Sequence, residues 1–272
     1  MPTIDFTLNS GDCVSLFYEH RNPGAEQSIL FLHGLGTTHE SWQKQIHYFE
    51  QKGYQVFAPD IPGFGASGIT HGRFSASLVA DSMEVVFKTH GISEAVIIGH
   101  SMGGPLAIHC CLAYPERYTK CILSNTFAHI RLTSVSSAFA YLKRFVLANL
   151  QDSEQQAAFI AHKTFPGEDD RQLREMFQQQ ILQTDKDVYK DAVNLLARVN
   201  LLPALHDLKL PCLVITGLED QTIPPKLQHE LMRHLPHAIE VGIQHGKHGM
   251  IFSQGDLINT VMEDFLTWQP SV

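Results

Sequence analysis

Three uninterrupted apolar runs in the first half of the chain limit the fold more than any other feature. They are Ser28–Leu32, Tyr54–Ala58 and Ala95–Ile98. Runs of this length without polar alternation are typical of parallel strands that are covered on both faces. Helical patterns lie between them, at Ser41–Gln51 and Ser75–His90. This alternation predicts an α/β fold built on a doubly wound parallel sheet.

Five further strand-like runs bring the total to eight. Two of them, Thr3–Leu8 and Cys13–Glu19, alternate apolar and polar residues on either side of the sequence Asn-Ser-Gly-Asp, which predicts a hairpin. The other three are Lys120–Ser124, Cys212–Thr216 and Ala238–Ile243. All eight runs therefore fit one sheet that is formed by both ends of the chain.

The strand pattern stops between Ala128 and Asp207, where amphipathic helical patterns replace it. We therefore expect residues 1–127 and 208–272 to form the core domain and residues 128–207 to form a helical cap, or lid. An insertion of this length is sufficient to cover a site. The helical patterns cover Ala138–Leu150, Glu154–Thr164, Asp170–Gln183 and Lys186–Val199.

Composition excludes several classes of function. The net charge is −8 and the sequence contains no block of basic residues, so we expect no nucleic-acid partner. The amino terminus lacks the pattern of a secretory signal, and no apolar stretch has the length of a membrane span, so we expect no membrane insertion. Five cysteines without metal-binding spacing indicate reduced core residues and a cytoplasmic protein.

The segment Gly99-His100-Ser101-Met102-Gly103 has the G-x-S-x-G pattern of a nucleophile elbow. A strand-like run precedes it and a run of small residues typical of a packed helix follows it, which is the context that the motif requires. A sharp strand-to-helix turn exposes the hydroxyl of its serine and tolerates little bulk two residues away on either side. We therefore expect Ser101 to be a catalytic nucleophile.

An attacking serine needs two N–H donors for the oxyanion that forms on the substrate. The first donor is expected to be the backbone N–H of Met102, directly after the nucleophile. The second is expected from the loop that follows Ser28–Leu32, with Leu35 as the donor and Gly34 as the alternative. We expect His33, at the start of that loop, to brace it rather than to act as a base.

Position along the strands selects the base and the acid, because catalytic groups in such sheets gather at the carboxyl ends of the strands. The last run is followed by Gln-His-Gly-Lys-His-Gly, so His248 is the expected base and His245 the alternative. Asp220 follows Cys212–Thr216 and is the expected acid, with Glu219 as its competitor. The sequence thus predicts a triad of Ser101, Asp220 and His248.

Taken together, His33-Gly34, the segment Asp60–Ser67, the segment Gly99–Gly104, Asp220 and Gly246-Lys247-His248 resemble the α/β-hydrolase superfamily. The resemblance implies an eight-stranded, mostly parallel sheet with a helical cap inserted after the sixth strand. It also implies that Asp60–Ser67 is a structural loop near the site. Leu123–Thr126 is similar to the corresponding segment of the 3-oxoadipate enol-lactonase and carboxylesterase-like group.

The function that this pattern favours is that of a serine hydrolase, which cleaves a carboxylic ester or lactone of a small to medium molecule through an acyl-enzyme. A carbon–carbon bond hydrolase of the same fold is the alternative, and a non-catalytic ligand receptor is a third interpretation. We expect neither a cofactor nor a metal, since the histidines and cysteines show no zinc-binding spacing. Substrate identity and oligomeric state stay open.

Overall fold

The computed structural model describes residues 2–130, 153–165, 167 and 170–268. In this part of the chain nine strands form one sheet. The strands are β1 (Thr3–Thr7), β2 (Cys13–Arg21), β3 (Ser28–Leu32), β4 (Gln55–Pro59), β5 (Gly68–His71), β6 (Ala95–His100), β7 (Tyr118–Ser124), β8 (Cys212–Gly217) and β9 (Ala238–Ile243).

Helices connect the parallel strands, and the described residues between β7 and β8 are mostly helical. The α-helices of the described residues are α1 (Gln43–Gln51), α2 (Ala76–His90), α3 (Gly103–Ala113), α4 (Ser153–Thr164), α5 (Arg171–Gln183), α6 (Lys186–Arg198), α7 (Pro225–His234), α8 (Met250–Ser253) and α9 (Gly255–Thr267). Short 3-10 helices lie at His39–Trp42, Pro115–Arg117 and Leu202–Asp207. Across the ranges described, none of the helices combines the length and apolar character needed to cross a bilayer.

The strand order is β1-β2-β4-β3-β6-β7-β8-β9, with β5 paired to β2. The first two strands are antiparallel and β2 also runs antiparallel to β4, whereas every pairing from β4 to β9 is parallel. The sheet is thus mostly parallel, and β9 is an edge strand. The carboxyl ends of the six parallel strands meet at one edge, where the candidate site lies.

Eight of the nine strands coincide with the predicted runs, and β5 is the exception. It has only four residues, begins with a glycine and is half-buried or exposed, so the sequence carries little strand signal there. The predicted helix Ala138–Leu150 lies outside the described residues. The predicted helices Glu154–Thr164, Asp170–Gln183 and Lys186–Val199 agree with α4, α5 and α6 to within one residue at each end.

Both faces of the sheet are buried along its central strands, such as β3, β4 and β8, which explains the uninterrupted apolar runs. In β3, Leu30 and Leu32 pack into the cluster beneath α2 and α3, whereas Ile29 and Phe31 pack into the cluster beneath α1 and α9. Side chains of a strand point alternately to opposite faces, so every residue of β3 must be apolar or small when both faces are covered. This double layer gives the carboxyl ends of the strands a rigid base.

Candidate active site

Ser101 lies at the sharp turn between β6 and α3, and its backbone has a φ of 52°. This is the left-handed region, which costs a non-glycine residue about 1–3 kcal/mol and is concentrated at functional sites. The main chain is fixed on both sides, since the Ser101 N–H donates to the carbonyl oxygen of Ser124 at 3.1 Å and the Thr126 hydroxyl donates to the Ser101 carbonyl at 2.6 Å.

The glycines of the elbow are required by space. A Cβ at Gly99 would overlap the carbonyl group of Gly103, and a Cβ at Gly103 would overlap the carbonyl oxygen of Leu32. These are backbone atoms, so no side-chain rotation relieves the contact. The helix α3 therefore approaches the sheet closely enough for the turn to form, as the G-x-S-x-G pattern predicts.

The structure brings Ser101, His248 and Asp220 into one hydrogen-bonded chain. Nε2 of His248 lies 3.1 Å from the Ser101 Oγ, and Nδ1 of His248 lies 2.8 Å from the Asp220 Oδ2. A carboxylate only accepts hydrogen bonds, so Nδ1 carries the proton and the lone pair of Nε2 faces the serine hydroxyl. This is the arrangement in which an imidazole can take a proton from a serine.

The side chain of Asp220 is fully buried, and backbone N–H groups of its own loop fix the orientation of its carboxylate. Its Oδ1 accepts the backbone N–H groups of Thr222 and Ile223 at 2.7 and 2.9 Å, which leaves Oδ2 free for His248. The predicted alternatives, His245 and Glu219, are paired with each other at the surface and make no contact of this kind with Ser101. Of the two histidines, the structure thus brings only His248 to the serine.

The loop after β3 lies beside Ser101, as expected for the oxyanion loop. A Cβ at Gly34 would be 3.4 Å from the Ser101 Cβ. Within the described ranges, no hydrogen bond engages the backbone N–H of Leu35 or of Met102, so both donors are available to a ligand. Met102 itself is fully buried directly before the first turn of α3, where N–H groups point out of the helix end.

His33 braces this loop. Its Nδ1 lies 2.8 Å from the Gly34 carbonyl oxygen and its Nε2 accepts the Ile61 N–H at 2.9 Å, so the ring is neutral with its proton on Nδ1. Burial lowers the pKa of His33 to about 4. Burial also lowers the pKa of His100 well below its ordinary value, with His248 nearby as a further cause. His33 therefore has the structural role that the sequence favoured.

A buried ion pair supports the segment Asp60–Ser67. Nδ1 of His39 lies 2.7 Å from the Asp60 Oδ1, and the other carboxylate oxygen accepts the Ala66 N–H at 2.8 Å. Burial alone would raise the pKa of Asp60, but the hydrogen bond from His39 lowers it overall. Burial opposes the charge of His39, yet its hydrogen bond to Asp60 raises its pKa overall. Both shifts favour the charged forms of the two side chains, and their hydrogen bond joins the His39 segment to the loop after β4.

The described helices between β7 and β8 rest on the loops that surround Ser101. A Cβ at Gly36 would lie 2.8 Å from Ile181 of α5, and a Cβ at Gly63 would lie 2.6 Å from Val188 of α6. Phe165, just after α4, packs its ring directly on Gly249, the neighbour of His248. Leu35 and Phe252 flank the apolar cluster that the three helices share. The predicted helix Ala138–Leu150, whose apolar residues include Phe139, Leu142, Phe145 and Val146, lies outside the described residues.

Sequence reasoning missed one buried residue that touches the site. Asn125 follows β7 and hydrogen-bonds the backbone of the His248 loop and that of Gly217 at the end of β8. The sequence analysis named it only within the segment Leu123–Thr126 and gave it no role. Its one local signal is that asparagine tolerates a positive φ, and the φ of Asn125 is 45°.

Comparison with known proteins gives three findings. The profile of the α/β hydrolase fold family matches residues 27–254. The 3-oxoadipate enol-lactonase 2 of Acinetobacter baylyi is 29% identical over 243 residues, which cover 88% of each chain. The human Protein ABHD8 is 24% identical over 275 residues, and this alignment covers 95% of the present chain but only 59% of that protein.

Solved structures show the same fold. The enol-lactonase from Burkholderia xenovorans superposes with a TM-score of 0.85 at 23% identity, over 97% of this chain and 100% of that one. At this level of identity the likeness concerns the fold alone.

Proposed function

We propose that this chain, which belongs to the α/β-hydrolase family, is a serine hydrolase that cleaves a carboxylic ester or lactone through an acyl-enzyme. The observation that carries the proposal is the chain of contacts from Asp220 through His248 to the Ser101 hydroxyl, with the serine held at a positive φ. The similarity to an enol-lactonase supports an ester-type substrate, since a lactone is a cyclic ester.

In the proposed mechanism, the Ser101 oxygen attacks the carbonyl carbon while Nε2 of His248 accepts the hydroxyl proton. Asp220 keeps the proton on Nδ1 and stabilises the imidazolium that results. The backbone N–H groups of Met102 and Leu35 donate to the oxyanion. Collapse of the tetrahedral intermediate breaks the carbon–oxygen bond, and the leaving alkoxide takes the proton from Nε2. Water then repeats the sequence on the acyl-serine and releases the acid.

Residues 128–207 are proposed to form the cap of this site, and residues 1–127 and 208–272 the core. Support comes from α5 and α6, which contact the oxyanion loop at Gly36, and from Phe165, just after α4, which contacts the base loop at Gly249. A cap of this kind limits the acyl group to small or medium size. Hydrolysis rates for a series of acyl chains test it: we expect a steep fall towards long chains, and equal rates for long-chain lipids contradict a closed pocket.

The proposed partner is a small-molecule ester or lactone, and the proposed compartment is the cytoplasm. All five cysteines are free thiols, and four of them are buried in the core. Reduced thiols are typical of a compartment kept reducing by glutathione and thioredoxin. Fractionation of cells that express the chain at native level tests this assignment.

Labelling with a fluorophosphonate probe tests the proposed chemistry. We expect the probe to modify Ser101 of the wild-type protein, with the modified residue located by peptide mass. The Ser101→Ala variant is expected to lose the labelling, and its turnover is expected to fall by about a millionfold. The control is Ser82→Ala, which removes a buried serine hydroxyl that donates to the Leu78 carbonyl oxygen within α2. A panel of short esters, lactones and a dienoic diketone identifies the bond cleaved. Retention of more than a few per cent of turnover by Ser101→Ala contradicts the proposal.

A further inference from the structure

We infer that Asn125 is a positioning residue that holds the loops of the base and the acid in register beside the nucleophile; the inference rests on the proposed function above. Asn125 is the first residue after β7, the strand that lies between β6 and β8. β6 leads into Ser101 and β8 leads into Asp220, so Asn125 stands between two members of the triad.

The conformation of Asn125 is constrained on every side. Its side chain is fully buried, its φ is 45°, and its N–H donates to the Ile215 carbonyl oxygen of β8 at 3.1 Å. Asparagine is one of the few residue types that adopt this backbone conformation readily. A buried polar side chain in a rare backbone conformation needs specific partners to be stable.

The amide group supplies those partners through three hydrogen bonds. Its Oδ1 accepts the Gly217 N–H at 2.8 Å, at the end of β8 and three residues before Asp220. Its Nδ2 donates to the carbonyl oxygen of Lys247 at 2.8 Å and to that of His248 itself at 3.1 Å. One side chain thus joins the strand that carries the acid to the main chain of the base.

The segment Ser124–Thr126 therefore serves as a common reference for all three members of the triad. Its first residue accepts the Ser101 N–H and its last donates to the Ser101 carbonyl oxygen, while Asn125 holds the other two loops. A shift of about 1 Å in a reacting group can cost on the order of 100-fold in rate. Loss of the amide is expected to allow such a shift.

Only an amide has the chemistry that this place requires. It presents one acceptor to an N–H and one NH₂ group to two carbonyl oxygens. In Asn125→Asp the shape and the acceptor stay, but a carboxylate oxygen faces the two carbonyls. In Asn125→Gly all three bonds are lost, while the positive φ is tolerated. Asn125→Asp thus loses only the two hydrogen bonds to the base loop, whereas Asn125→Gly also loses the hydrogen bond to Gly217 of the acid strand.

The test is steady-state kinetics of both variants, with unfolding temperature measured alongside. We expect kcat to fall by about 10- to 100-fold in each variant, with KM little changed, because the amide orients the reacting groups and does not touch the substrate. Asn259→Ala is the matched control, since it removes a buried amide that accepts from Gln45 in another part of the core. That control is expected to lose stability and keep its kcat.

Fluorophosphonate labelling keeps this inference separate from the proposed function. If the wild type is neither labelled at Ser101 nor active on any ester, the proposed function fails. If the wild type is labelled and active while folded Asn125→Asp and Asn125→Gly keep its kcat, the positioning role is overturned and the proposed function stands. A lower unfolding temperature at unchanged kcat also overturns it, because the amide then acts in stability alone.

Discussion

Nδ1 of His245 lies 2.7 Å from the Glu219 Oε1, so a second histidine–carboxylate pair stands beside the pair formed by His248 and Asp220. The two pairs come from the same two loops and have almost the same length. Their surroundings differ: the side chains of His245 and Glu219 are 74% and 47% exposed, whereas those of His248 and Asp220 are 8% and 0% exposed. Because water screens the exposed pair of His245 and Glu219, that pair contributes little to the stability of the fold.

We therefore expect substitutions in the two pairs to have very different effects on turnover. His248→Ala is expected to lower kcat by about a millionfold and Asp220→Asn by about 10⁴-fold, because the amide favours the wrong tautomer of the base. His245→Ala and Glu219→Gln are the matched controls in the same loops and are expected to keep most of the activity. An inactive His245→Ala protein that is still folded would falsify the assignment of the base.

The contact of Phe165 with Gly249 predicts that the segment before α5 influences the base loop. Gly249 has an ordinary φ of −84°, so Gly249→Ala strains no backbone, but its methyl group would overlap the buried Phe165 ring. Phe177 and Phe252 hold that ring edge-on at 5.6 and 5.4 Å, which leaves it little freedom to move. We expect Gly249→Ala to lose about 1–3 kcal/mol of stability and to lower kcat.

A smaller side chain in place of Phe165 is expected to make room for the methyl group of Gly249→Ala. The double variant Gly249→Ala/Phe165→Leu should recover part of the lost kcat, measured together with chemical denaturation. Gly255→Ala is the matched control, since its methyl group would meet the side chains of Lys44 and Gln45, with the flexible Lys44 Cδ the nearest atom, and not Phe165. Equal kcat in the wild type and Gly249→Ala shows that the contact does not reach the base.

The buried neutral ring of His33 predicts a loss of stability in acid. Burial lowers the pKa of His33 to about 4 in the folded state, against an ordinary value near 6.5 in the unfolded chain. Between these two values the unfolded chain binds one proton more, so the free energy of unfolding falls as the pH falls from about 6.5 to 4. The expected contribution is about 1.4 kcal/mol per pH unit, or about 3 kcal/mol in all.

Urea denaturation at several pH values checks this contribution. His33→Gln is expected to have a shallower dependence of the unfolding free energy on pH than the wild type, whatever its stability at neutral pH. His47→Gln, which changes a histidine with a 70% exposed side chain, is the control. Identical slopes for the wild type and His33→Gln would mean that His33 binds protons equally in the folded and unfolded protein.

Most of the sheet follows from the sequence because burial on two faces leaves an unambiguous pattern. The run Ser28–Leu32 was predicted to the residue, and it is apolar or small throughout because neighbours cover both of its faces. The strand Gly68–His71 was not predicted, because it is short and lies at the rim of the sheet, where side chains contact water rather than a packed core. The periodicity of apolar residues in a sequence reflects the burial of their side chains. An element that buries few side chains therefore leaves no periodic pattern.

The contacts among Ser101, His248 and Asp220 were predictable for a different reason. Ser101, Asp220 and His248 each follow a strand of a parallel sheet, so the topology alone brings their loops to one edge. Asn125 also follows such a strand, but its partners are backbone groups of Gly217, Lys247 and His248. Any residue type supplies those groups, so nothing in the sequence marks them. The contact of Phe165 with Gly249 is hidden likewise, because it joins an insertion to a distant loop.

The edge position of β9 has a consequence for synthesis of the chain. The proposed base follows β9, and 147 residues separate it from the proposed nucleophile. At a translation rate of about 5–20 residues per second, the serine leaves the peptidyl-transferase centre roughly 7 to 30 seconds before the histidine. A nascent chain that ends before β9 therefore contains the proposed nucleophile but lacks the proposed base. Activity thus reports that the sheet is complete.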